Sequence, residues 1–478
     1  MRDLVDGSWR DCEQELDFQL EDPATGADLG PARASSPGRV DEAVRAAQAA
    51  FDSGSWLETD RAQVLDAVAD RVEAVAADIV TVEANATGVP IRQAAMLSVI
   101  LSGAFRLAAA QLREGWLSTS LPREDGRLAM VDRLPWGPAA CLVPWNAPAP
   151  MAAHKVANAL AAGCPAIVKP SELAPLGTQL LAAAIAEGLQ EHGIHPGVFQ
   201  LVHGGAATGA RLVGNPLIRA VSFTGGLAGG RSVAAACAYD IKPVQLELGG
   251  NNPLVALPDA AVDDVARAAV DLLTTLNGQW CRALGRLILP EARSADILAA
   301  IGERLAALRV GPPLDPETDF GPLIHSRHRA VVAAARDGLG GQVLSPTAVP
   351  GEGNYLAPAL VVGADPARTT EEIFGPVAAV HTYSTLDEAV ALANGTPYGL
   401  EGYVLGGDEE AALALARRIR CGEVKVNGSS IMSLHLFTPR PAWGLSGTGE
   451  EGTAETLRFF TNPRVVGVEA GFALHSRP

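Results

Sequence analysis

Three residues have the character and the surroundings that nucleophilic catalysis requires. Cys281 ends the stretch 277–281 (Asn-Gly-Gln-Trp-Cys), a glycine-containing turn after an amphipathic helix predicted over 260–276. A thiol in such a turn can be exposed and can ionise to a nucleophilic thiolate. Glu247 ends a predicted strand beside two glycines, where a general base could meet a ligand, and Asn146 lies on a proline-flanked loop from which its amide could face a developing oxyanion.

Each of these residues, taken singly, also has a common structural explanation. An isolated cysteine is more often an inert buried side chain, such a glutamate is often a salt-bridge partner, and such an asparagine is often a turn residue. The six cysteines are scattered without C-x-x-C spacing, which argues against a disulfide framework or a zinc site. His192 and His195 are separated by a glycine and followed by a proline, so we interpret them as a helix end and a surface turn. We therefore predict no metal site.

The elements that must position these residues form an alternating series. Residues 139–250 repeat a short apolar strand, a loop and an alanine-rich helix, which is typical of a parallel sheet covered on both faces. The loops that follow the five strands begin at residues 144, 169, 203, 224 and 249. Because ligands of open parallel sheets bind at the carboxyl ends of the strands, we expect these loops to converge on one site.

The rest of the chain has a different character on each side of this series. The first 115 residues are predicted to be helical after a short amino-terminal stretch, and residues 113–136 are predicted to form a ribbon. A second strand–helix series runs from Asn252 to about Asn427, and the last 50 residues suggest a loop and a terminal strand. The pattern G-x-G-x-x-G at 447–452 follows no predicted strand and leaves too little chain for a βαβ unit, so we interpret it as unrelated to dinucleotide binding.

Composition narrows the function classes. The chain has 478 residues, 48% of them hydrophobic, which predicts two or three domains with a large core. Its formal charge of −17 argues against a nucleic-acid partner. We find neither a signal peptide nor a run that approaches a membrane span, so we predict a soluble, cytoplasmic protein with no membrane partner. Only four lysines accompany 33 arginines, which makes each lysine a candidate for a specific role.

Together, the motifs resemble those of the NAD(P)-dependent aldehyde dehydrogenase superfamily, in order and across essentially the whole chain. The separation of 34 positions between Glu247 and Cys281 also fits that family. The matching segments are 144–148 (Pro-Trp-Asn-Ala-Pro), Lys155, 168–172, 223–226, 246–253, 278–281, Arg286, 320–323, 371–377, 398–400, 426–427 and 446–449. The resemblance implies an α/β fold with two doubly wound parallel-sheet domains and a small β oligomerisation ribbon.

The resemblance implies a mechanism and four catalytic residues. The Cys281 thiolate attacks an aldehyde, and the Asn146 side chain and the Cys281 backbone N–H hold the oxyanion. Hydride transfer to a nicotinamide leaves a thioester, and Glu247 activates the water that hydrolyses it to a carboxylic acid. Lys155 matches a lysine that passes the proton of the base outward. The acidic partner that the family has near Phe460 is replaced here by Asn462, which puts this proton route in doubt.

The resemblance also implies a cofactor site. Lys169 and Glu172 match positions on the adenosine ribose, and a carboxylate there repels a 2′-phosphate, so we predict NAD rather than NADP. Thr224, Gly225 and Gly226 match the pyrophosphate loop, although the family commonly has a serine at Gly226. The complete predicted set is Pro144, Trp145, Lys169, Ser171, Glu172, Thr224, Gly225, Gly226, Leu248, Glu372 and Phe374.

Three departures from the family concern the substrate pocket. Trp280 is bulkier than the usual residue, Ala147 replaces a frequent aromatic residue, and His154 stands where an apolar residue is common. These changes suggest a ring-bearing or branched aldehyde as the small-molecule partner. The stretch 441–444 (Pro-Ala-Trp-Gly) replaces a usual Phe-Gly-Gly, and Lys242 and Lys425 match no functional position.

The predicted domains are a cofactor-binding domain (1–115 and 136–246), a catalytic domain (247–445), and a ribbon with a tail (116–135 and 446–478). By resemblance, the ribbon and the terminal strand pair across a homodimer, alone or within a homotetramer. Two alternatives remain open: an acylating or reductive enzyme that lacks the hydrolytic step, and a catalytically idle binding protein. Glu247 argues against the first alternative, and the joint presence of Cys281, Glu247, Asn146 and Lys169 argues against the second.

Overall fold

The amino-terminal part of the chain contains strands as well as helices. The computed structural model describes residues 1–469, apart from the side chain at position 450. The elements before the ribbon are β1 (Arg2–Val5), β2 (Ser8–Asp11), β3 (Gln14–Glu21), β4 (Asp28–Ala34), α1 (Pro37–Ser53), α2 (Ser55–Glu58), α3 (Arg61–Thr87), α4 (Ile91–Leu97) and α5 (Val99–Arg113). The four strands extend the predicted short stretch to residue 34, because these segments pair with one another and with a core strand.

Helix α1 begins and helix α3 ends at residues with typical capping geometry. Ser36 accepts a hydrogen bond from the backbone N–H of Arg39, and Pro37 occupies the first turn of α1. Helix α3 ends at Gly88, whose φ of 79° is left-handed. A Cβ at Gly88 would lie 2.2 Å from the carbonyl oxygen of Pro322, so the end of α3 closely approaches the second α/β unit.

The central series forms the first large sheet. After the ribbon strands β5 (Ser118–Pro122) and β6 (Leu128–Pro135), its elements are β7 (Ala139–Leu142), α6 (Pro148–Ala162), β8 (Ala166–Lys169), α7 (Leu176–Glu191), β9 (Phe199–Leu201), α8 (Ala206–Gly214), β10 (Ala220–Thr224), α9 (Leu227–Tyr239) and β11 (Val244–Glu247). The strand order is β9-β8-β7-β10-β11, all parallel, with β1 and β2 added antiparallel beyond β9. Each of the five predicted strands is present, and the predicted α/β class is confirmed.

The second series forms a seven-stranded sheet. Its elements are β12 (Asn252–Ala256), α10 (Val262–Thr274), β13 (Leu284–Pro290), α11 (Ser294–Ala306), α12 (Ser326–Gly338), β14 (Gln342–Leu344), β15 (Ala359–Val362), β16 (Val377–Tyr383), α13 (Leu386–Ala393), β17 (Tyr398–Gly399), β18 (Glu401–Leu405), α14 (Glu409–Ala416) and β19 (Glu423–Val426). The sheet order is β14-β15-β16-β13-β12-β18-β19, with only β14 antiparallel. Strand β17 stands apart from this sheet.

The carboxyl-terminal segment is divided between two sheets. It contains β20 (Arg440–Pro441), β21 (Trp443–Gly444), β22 (Gly447–Thr448), β23 (Glu450–Glu451), α15 (Thr453–Phe459) and β24 (Thr461–Gly467). Strand β24 pairs with β6 in the ribbon sheet β24-β6-β5, whereas β22 pairs with β11 at the edge of the eight-stranded sheet. The tail assigned from the sequence as one unit therefore contributes to both, and its residues 470–478 lie outside the described part.

Two expectations about individual segments need correction. Lys242 and Lys425 are buried structural cations: Lys242 Nζ donates to the carbonyl oxygens of residues 213 and 215, and Lys425 Nζ lies 2.6 Å from the Glu401 carboxylate. Residues Ile91–Arg113 are long and apolar enough to cross a membrane by length and composition. In this fold α5 instead packs against α3 and α6, and its Phe105 belongs to the core of the first unit.

Arg286 ties three segments of the second unit together. Its guanidinium is buried and donates to the carbonyl oxygens of Asn251, Leu392 and Ala393. Burial lowers the pKa of Arg286 to about 10. An Arg286→Met variant would leave the carbonyl oxygens of the buried residues Asn251 and Ala393 without these donors, so we expect a loss of about 3 kcal/mol in the free energy of unfolding, measured by urea denaturation. The exposed Arg417→Met variant is the matched control, and an equal stability of the two variants would contradict this role.

Candidate active site

A left-handed turn presents Cys281. After α10, Leu276, Asn277 and Gly278 have φ values of 49°, 57° and 70°. Non-glycine residues rarely adopt this conformation, so the surrounding contacts must hold it in place. Asn277 supplies such contacts: its Nδ2 donates to the carbonyl oxygens of Gly88 and Pro322, and its Oδ1 accepts from the backbone N–H of Gly321. The turn is thereby attached to the end of α3.

The thiol of Cys281 meets the carboxylate of Glu247. The Sγ donates to Glu247 Oε1 at 3.0 Å, although Glu247 ends β11 of the first sheet and Cys281 precedes β13 of the second. Cys281 is partly exposed, and Asn252 Nδ2 holds its carbonyl oxygen at 3.0 Å. The two residues singled out for their spacing are thus in direct contact.

Burial raises the proton affinity of both members of this pair. It raises the pKa of the Cys281 thiol well above its ordinary value, and the neighbouring Glu247 raises it further. Burial also raises the pKa of Glu247, and the carboxylate of Glu451 acts in the same direction. A carboxylate of raised proton affinity is a better acceptor for the thiol proton when a carbonyl arrives.

Asn146 lies on the other side of the nucleophile loop. It follows β7, and its Nδ2 donates to the carbonyl oxygen of Gln279 at 2.9 Å, two residues before Cys281. The loop continues into α6, where the backbone N–H of Ala149 donates to Glu83 Oε1 at 2.6 Å. Glu83 therefore fixes the start of the helix beside Asn146. No pattern around Glu83 distinguished it in the sequence, because it lies in the middle of a long helix.

Lys155 belongs to a buried hydrogen-bonded chain. Its Nζ donates to Ser222 Oγ at 2.7 Å, and Ser222 donates to Gln245 Oε1 at 2.7 Å. Gln245 Nε2 lies 3.4 Å from Thr456 Oγ1. Lys155 thus reaches the first sheet and α15 through polar side chains.

A buried acidic residue other than the one expected near Phe460 lies close to Lys155 and His154. Asn462 lies on the exposed strand β24 opposite Leu134, away from this chain of side chains. Glu451 is buried instead, and its Oε1 lies 3.8 Å from His154 Nε2. Burial favours the neutral form, but Lys155 and His154 lower the pKa of Glu451 below its ordinary value. Glu451 lies within the G-x-G-x-x-G segment, which therefore borders the site for a reason unrelated to dinucleotide binding.

The predicted substrate residues occupy different surroundings. His154 projects toward Glu451 and accepts or donates a hydrogen bond with Thr456 Oγ1 at 3.1 Å. Ala147 and Asn146 line a cavity between the α6 loop and helices α3 and α5. The Trp280 side chain is buried in the core of the second unit, so it supports the pocket from behind rather than presenting an open face.

The predicted ribose residues lie together at the carboxyl ends of β8 and β9. Lys169 Nζ donates to the carbonyl oxygens of Pro170 and Gly204, and burial lowers the pKa of Lys169 to about 8, against the effect of Glu172. Ser171 Oγ accepts from the backbone N–H of Leu173. A Cβ at Gly205 would lie 3.5 Å from the Glu172 carboxylate, so Glu172 lies across the floor of this pocket.

The proposed pyrophosphate loop fits a dinucleotide. Thr224 Oγ1 is buried without a hydrogen-bond partner, and Gly226 begins the 13-residue helix α9 without a side-chain cap. A Cβ at Gly226 would meet no atom within 4 Å. Free N–H groups at a helix start, an unpartnered hydroxyl and open space are what a phosphate ester requires. Leu248 instead turns its side chain toward Gly230 of α9 and is buried.

The remaining predicted cofactor residues surround the nucleophile. Trp145, which follows Pro144, packs edge-on against Phe374 with ring centroids 5.3 Å apart. His328 completes this cluster, with its ring 5.2 Å from Trp145 and its Nε2 2.7 Å from the Phe374 carbonyl oxygen. No local pattern had indicated His328.

Glu372 lies close to the glycine pair after Glu247. Its carboxylate accepts from the backbone N–H of Gly250 at 2.8 Å, and a Cβ at Gly249 would lie 1.9 Å from it. Burial raises the pKa of Glu372 to about 7. The glycines are therefore required by close approach, as their lack of side chains had suggested.

One cluster of possible metal ligands occurs in the described residues. Ligand atoms of Asp3, Cys12 and His203 lie within 4.8 Å of one another. Asp3 Oδ1 accepts from Ser35 Oγ at 2.7 Å, and the Arg39 guanidinium lies 3.8 Å from Asp3 Oδ2. These contacts account for the Asp3 carboxylate as an anchor of β1, and the adjacent cation disfavours a metal ion.

Comparison with known proteins identifies the family. A model of the aldehyde dehydrogenase family matches residues 9–466. Geranial dehydrogenase of Castellaniella defragrans is 35% identical over 403 residues, covering 81% of this chain and 83% of that protein. Aminoacetaldehyde dehydrogenase of Pseudomonas aeruginosa is 36% identical over 436 residues, covering 89% and 87%. The crystal structure of betaine aldehyde dehydrogenase from Staphylococcus aureus in complex with NAD⁺ has a TM-score of 0.91 and 25% identity, covering 99% of this chain and 95% of that one.

The two sheets and the thiol–carboxylate pair agree with an oxidoreductase that uses a nucleophilic cysteine. The chain belongs to the aldehyde dehydrogenase family, which confirms the resemblance of its motifs. It is an oxidoreductase that acts on aldehydes, and the NAD⁺ complexes of its relatives support a nicotinamide cofactor.

The ionisation of Glu83 predicts a pH-dependent stability difference. Burial raises the pKa of Glu83 from 4.5 to about 8, although the Ala149 N–H opposes this shift. The folded chain thus holds a proton that the unfolded chain releases, so this group destabilises the fold increasingly as the pH rises from about 4.5 to about 8. We therefore expect the free energy of unfolding of Glu83→Gln to rise relative to that of the wild type over this range, by at most about 1.4 kcal/mol per pH unit. Urea denaturation at pH 5 and at pH 8 measures the difference. The exposed Glu58→Gln is the control, and a gap independent of pH would contradict the assignment.

Proposed function

We propose that this protein oxidises an aldehyde to a carboxylic acid with NAD, through a covalent adduct on Cys281. The observation that carries the proposal is the 3.0 Å contact between the Cys281 thiol and the Glu247 carboxylate. A nucleophile and a base in hydrogen-bond contact, with an amide donor on the adjacent loop, form the arrangement that attack on a carbonyl requires.

The first half-reaction uses all three residues. Glu247 takes the thiol proton, the sulfur forms a bond to the aldehyde carbon, and the carbonyl electrons move to oxygen. The Asn146 amide and the Cys281 backbone N–H stabilise that oxyanion. Asn146 must exchange its hydrogen bond to the Gln279 carbonyl oxygen for this one, which requires only a local rotation. Bound NAD supplies the acceptor for the hydride of the adduct.

The second half-reaction is hydrolysis of the thioester. We propose that the thiol proton first leaves Glu247 toward Lys155 and Glu451. The effect of Glu451 on the pKa of Glu247, and of Lys155 on that of Glu451, supports this direction. Glu451 thereby takes the role that the sequence comparison had left vacant at Asn462. The Glu247 carboxylate then takes a proton from water while the water oxygen forms a bond to the acyl carbon, and the carbon–sulfur bond breaks to release the acid. The proton on Glu247 returns to the Cys281 sulfur, which restores the resting pair.

Substitutions at the pair should separate the two half-reactions. We expect Cys281→Ala to abolish aldehyde-dependent NADH formation. We expect Glu247→Gln to lose about 10²–10⁴-fold in steady-state rate, because an amide cannot accept a proton from water. Rapid mixing of enzyme, NAD and aldehyde, followed by mass spectrometry, should reveal an acyl adduct that forms slowly and decays slowly in Glu247→Gln, because Glu247 serves both half-reactions. The adduct should be absent in Cys281→Ala. Activity of Cys281→Ala equal to that of the wild type would overturn the mechanism.

The acylating alternative makes a different prediction in the same assay. An acylating enzyme passes the thioester to an added thiol, so its turnover would require coenzyme A. The position of Glu247, in contact with the sulfur, favours water as the acceptor.

The choice of NAD over NADP rests on Glu172. Its carboxylate at the ribose pocket would repel a 2′-phosphate and suits two ribose hydroxyl groups. We expect kcat/KM for NAD to exceed that for NADP by about tenfold or more, and Glu172→Gln to reduce the ratio. Steady-state rates with each cofactor test this, with the exposed Glu187→Gln as control. A wild-type preference for NADP would contradict the argument.

We propose the domain division and the assembly that the motifs imply. The ribbon strands β5 and β24 expose apolar side chains, which supports pairing across a homodimer or within a homotetramer. The exposed residues on this sheet and next to it are Leu121, Leu128, Val465, Val466 and Val468. The six free cysteines are consistent with the cytoplasm, the compartment we expect. The small side chain of Ala147, at a position where the family often has an aromatic residue, supports a ring-bearing or branched aldehyde.

A further inference from the structure

Arg440 is an arginine beside the active site with no fixed partner. Its Nε is buried and has no hydrogen-bond partner, and its guanidinium forms no ion pair within 4 Å with any described side chain. A buried donor without an acceptor costs free energy, which a bound anion would recover. Arg440 directly precedes the stretch 441–444, which differs from the usual family sequence, but no sequence pattern indicated the arginine itself.

The strand pairing directs Arg440 toward the nucleophile. Strand β20 is antiparallel to β23, and Arg440 lies directly opposite Glu451. Residues in such opposite positions share a face of the ribbon. Glu451 faces His154 on α6, the helix that begins beside Asn146. Arg440 therefore faces the same helix from the second unit.

The electrostatic effect of Arg440 reaches the reacting sulfur. Burial and Glu247 raise the pKa of Cys281, whereas Arg440 opposes them. Burial lowers the pKa of His154, and Arg440 contributes to that effect. Strand β23 begins two residues after β22, which pairs with Glu247 at the end of β11. The β20–β23 pair, and Arg440 with it, therefore lies next to the strand end that holds Glu247, the partner of Cys281.

The charged side chains around the pocket form two groups. One group behind Cys281 contains two cations and two carboxylates: Arg282, Lys425, Glu401 and Glu423. The second group contains Lys155 and Arg440 with the carboxyl groups of Glu451 and Glu247. Within this second group, the buried Nε of Arg440 is a donor without a hydrogen-bond partner, which an anion could accept from.

We propose that Arg440 binds an anionic group at the far end of the substrate, so that the substrate is an aldehyde bearing a carboxylate or a sulfonate. The inference rests on the proposed aldehyde oxidation and adds its substrate class. Arg440 is a specificity-determining residue here, because its planar guanidinium suits the two oxygens of a carboxylate and its buried Nε has no hydrogen-bond partner.

Matched aldehydes with and without the anion test the proposal. The pairs are 4-formylbenzoate with benzaldehyde, and 4-oxobutanoate with butanal. In the wild type we expect kcat/KM to favour the anionic member of at least one pair by about tenfold or more. In Arg440→Gln this preference should disappear, because KM rises for the anionic member and not for the neutral one. Arg440→Lys should retain part of the preference, because it keeps the charge but loses the bidentate geometry.

Controls separate this role from a structural one. The exposed Arg417→Gln variant should leave both members of each pair unchanged, and circular dichroism should show that Arg440→Gln is folded. If Arg440 acted only by stabilising the thiolate, Arg440→Gln would slow neutral and anionic aldehydes equally and would shift the pH profile of both. That result, or a wild type without preference in either pair, would overturn the proposal.

A binding measurement distinguishes failure of this inference from failure of the proposed oxidation. Calorimetric titration with terephthalate and with succinate, the dicarboxylates that the anionic aldehydes would yield, requires no turnover. Binding to the wild type and its loss in Arg440→Gln, without oxidation of any aldehyde, would retain the anion site and refute the oxidation. Oxidation of neutral and anionic aldehydes at equal rates, with no dicarboxylate binding, would retain the oxidation and refute the anion site.

Discussion

The contact between Cys281 and Glu247 is the constraint on which the rest of the structure depends. The two side chains come from different sheets, so they meet only if the two α/β units are held in a fixed relation. Asn277 supplies part of that relation by joining the nucleophile turn to the end of α3. Gly88 permits it, because a side chain there would collide with Pro322. The left-handed turn is costly by itself and is maintained by these contacts.

The same packing brings cationic side chains next to the buried carboxylates near the nucleophile. In a chain with a net charge of −17, Lys155, Lys425 and Arg282 lie beside the nucleophile, where they offset the charge of the buried carboxylates of Glu401, Glu423 and Glu451. Glu247, which must accept protons, is instead left with raised proton affinity. The proposed dinucleotide site would bind phosphate without a cation. It offers the backbone N–H groups at the start of α9 and the Thr224 hydroxyl.

Much of the fold was predictable because parallel strands buried on both faces form continuous apolar runs. The segments at 166–168 and 220–223 were recognised for that reason, and both are strands. The helix α1 was recognisable from its apolar period, with Ser36 as its cap. The amino-terminal strands β3 and β4 were not, because they are largely exposed and their residues do not alternate regularly. Helix α15 was missed because it is only seven residues long and follows a glycine-rich stretch.

The sequence alone determined the identity of the reacting groups, their order along the chain and the class of fold. Local periodicity and glycine positions indicated the elements, and the resemblance of the ordered motifs to the family singled out Cys281, Glu247 and Asn146. Only the tertiary structure decided which other side chains surround them. Glu451 and Arg440 lie more than 150 residues beyond Cys281, opposite each other in the strand pair β20–β23. No periodic pattern in the sequence predicts this pair. Their role depends on long-range packing and on the charged side chains that packing brings together. No local segment of the sequence predicts either property.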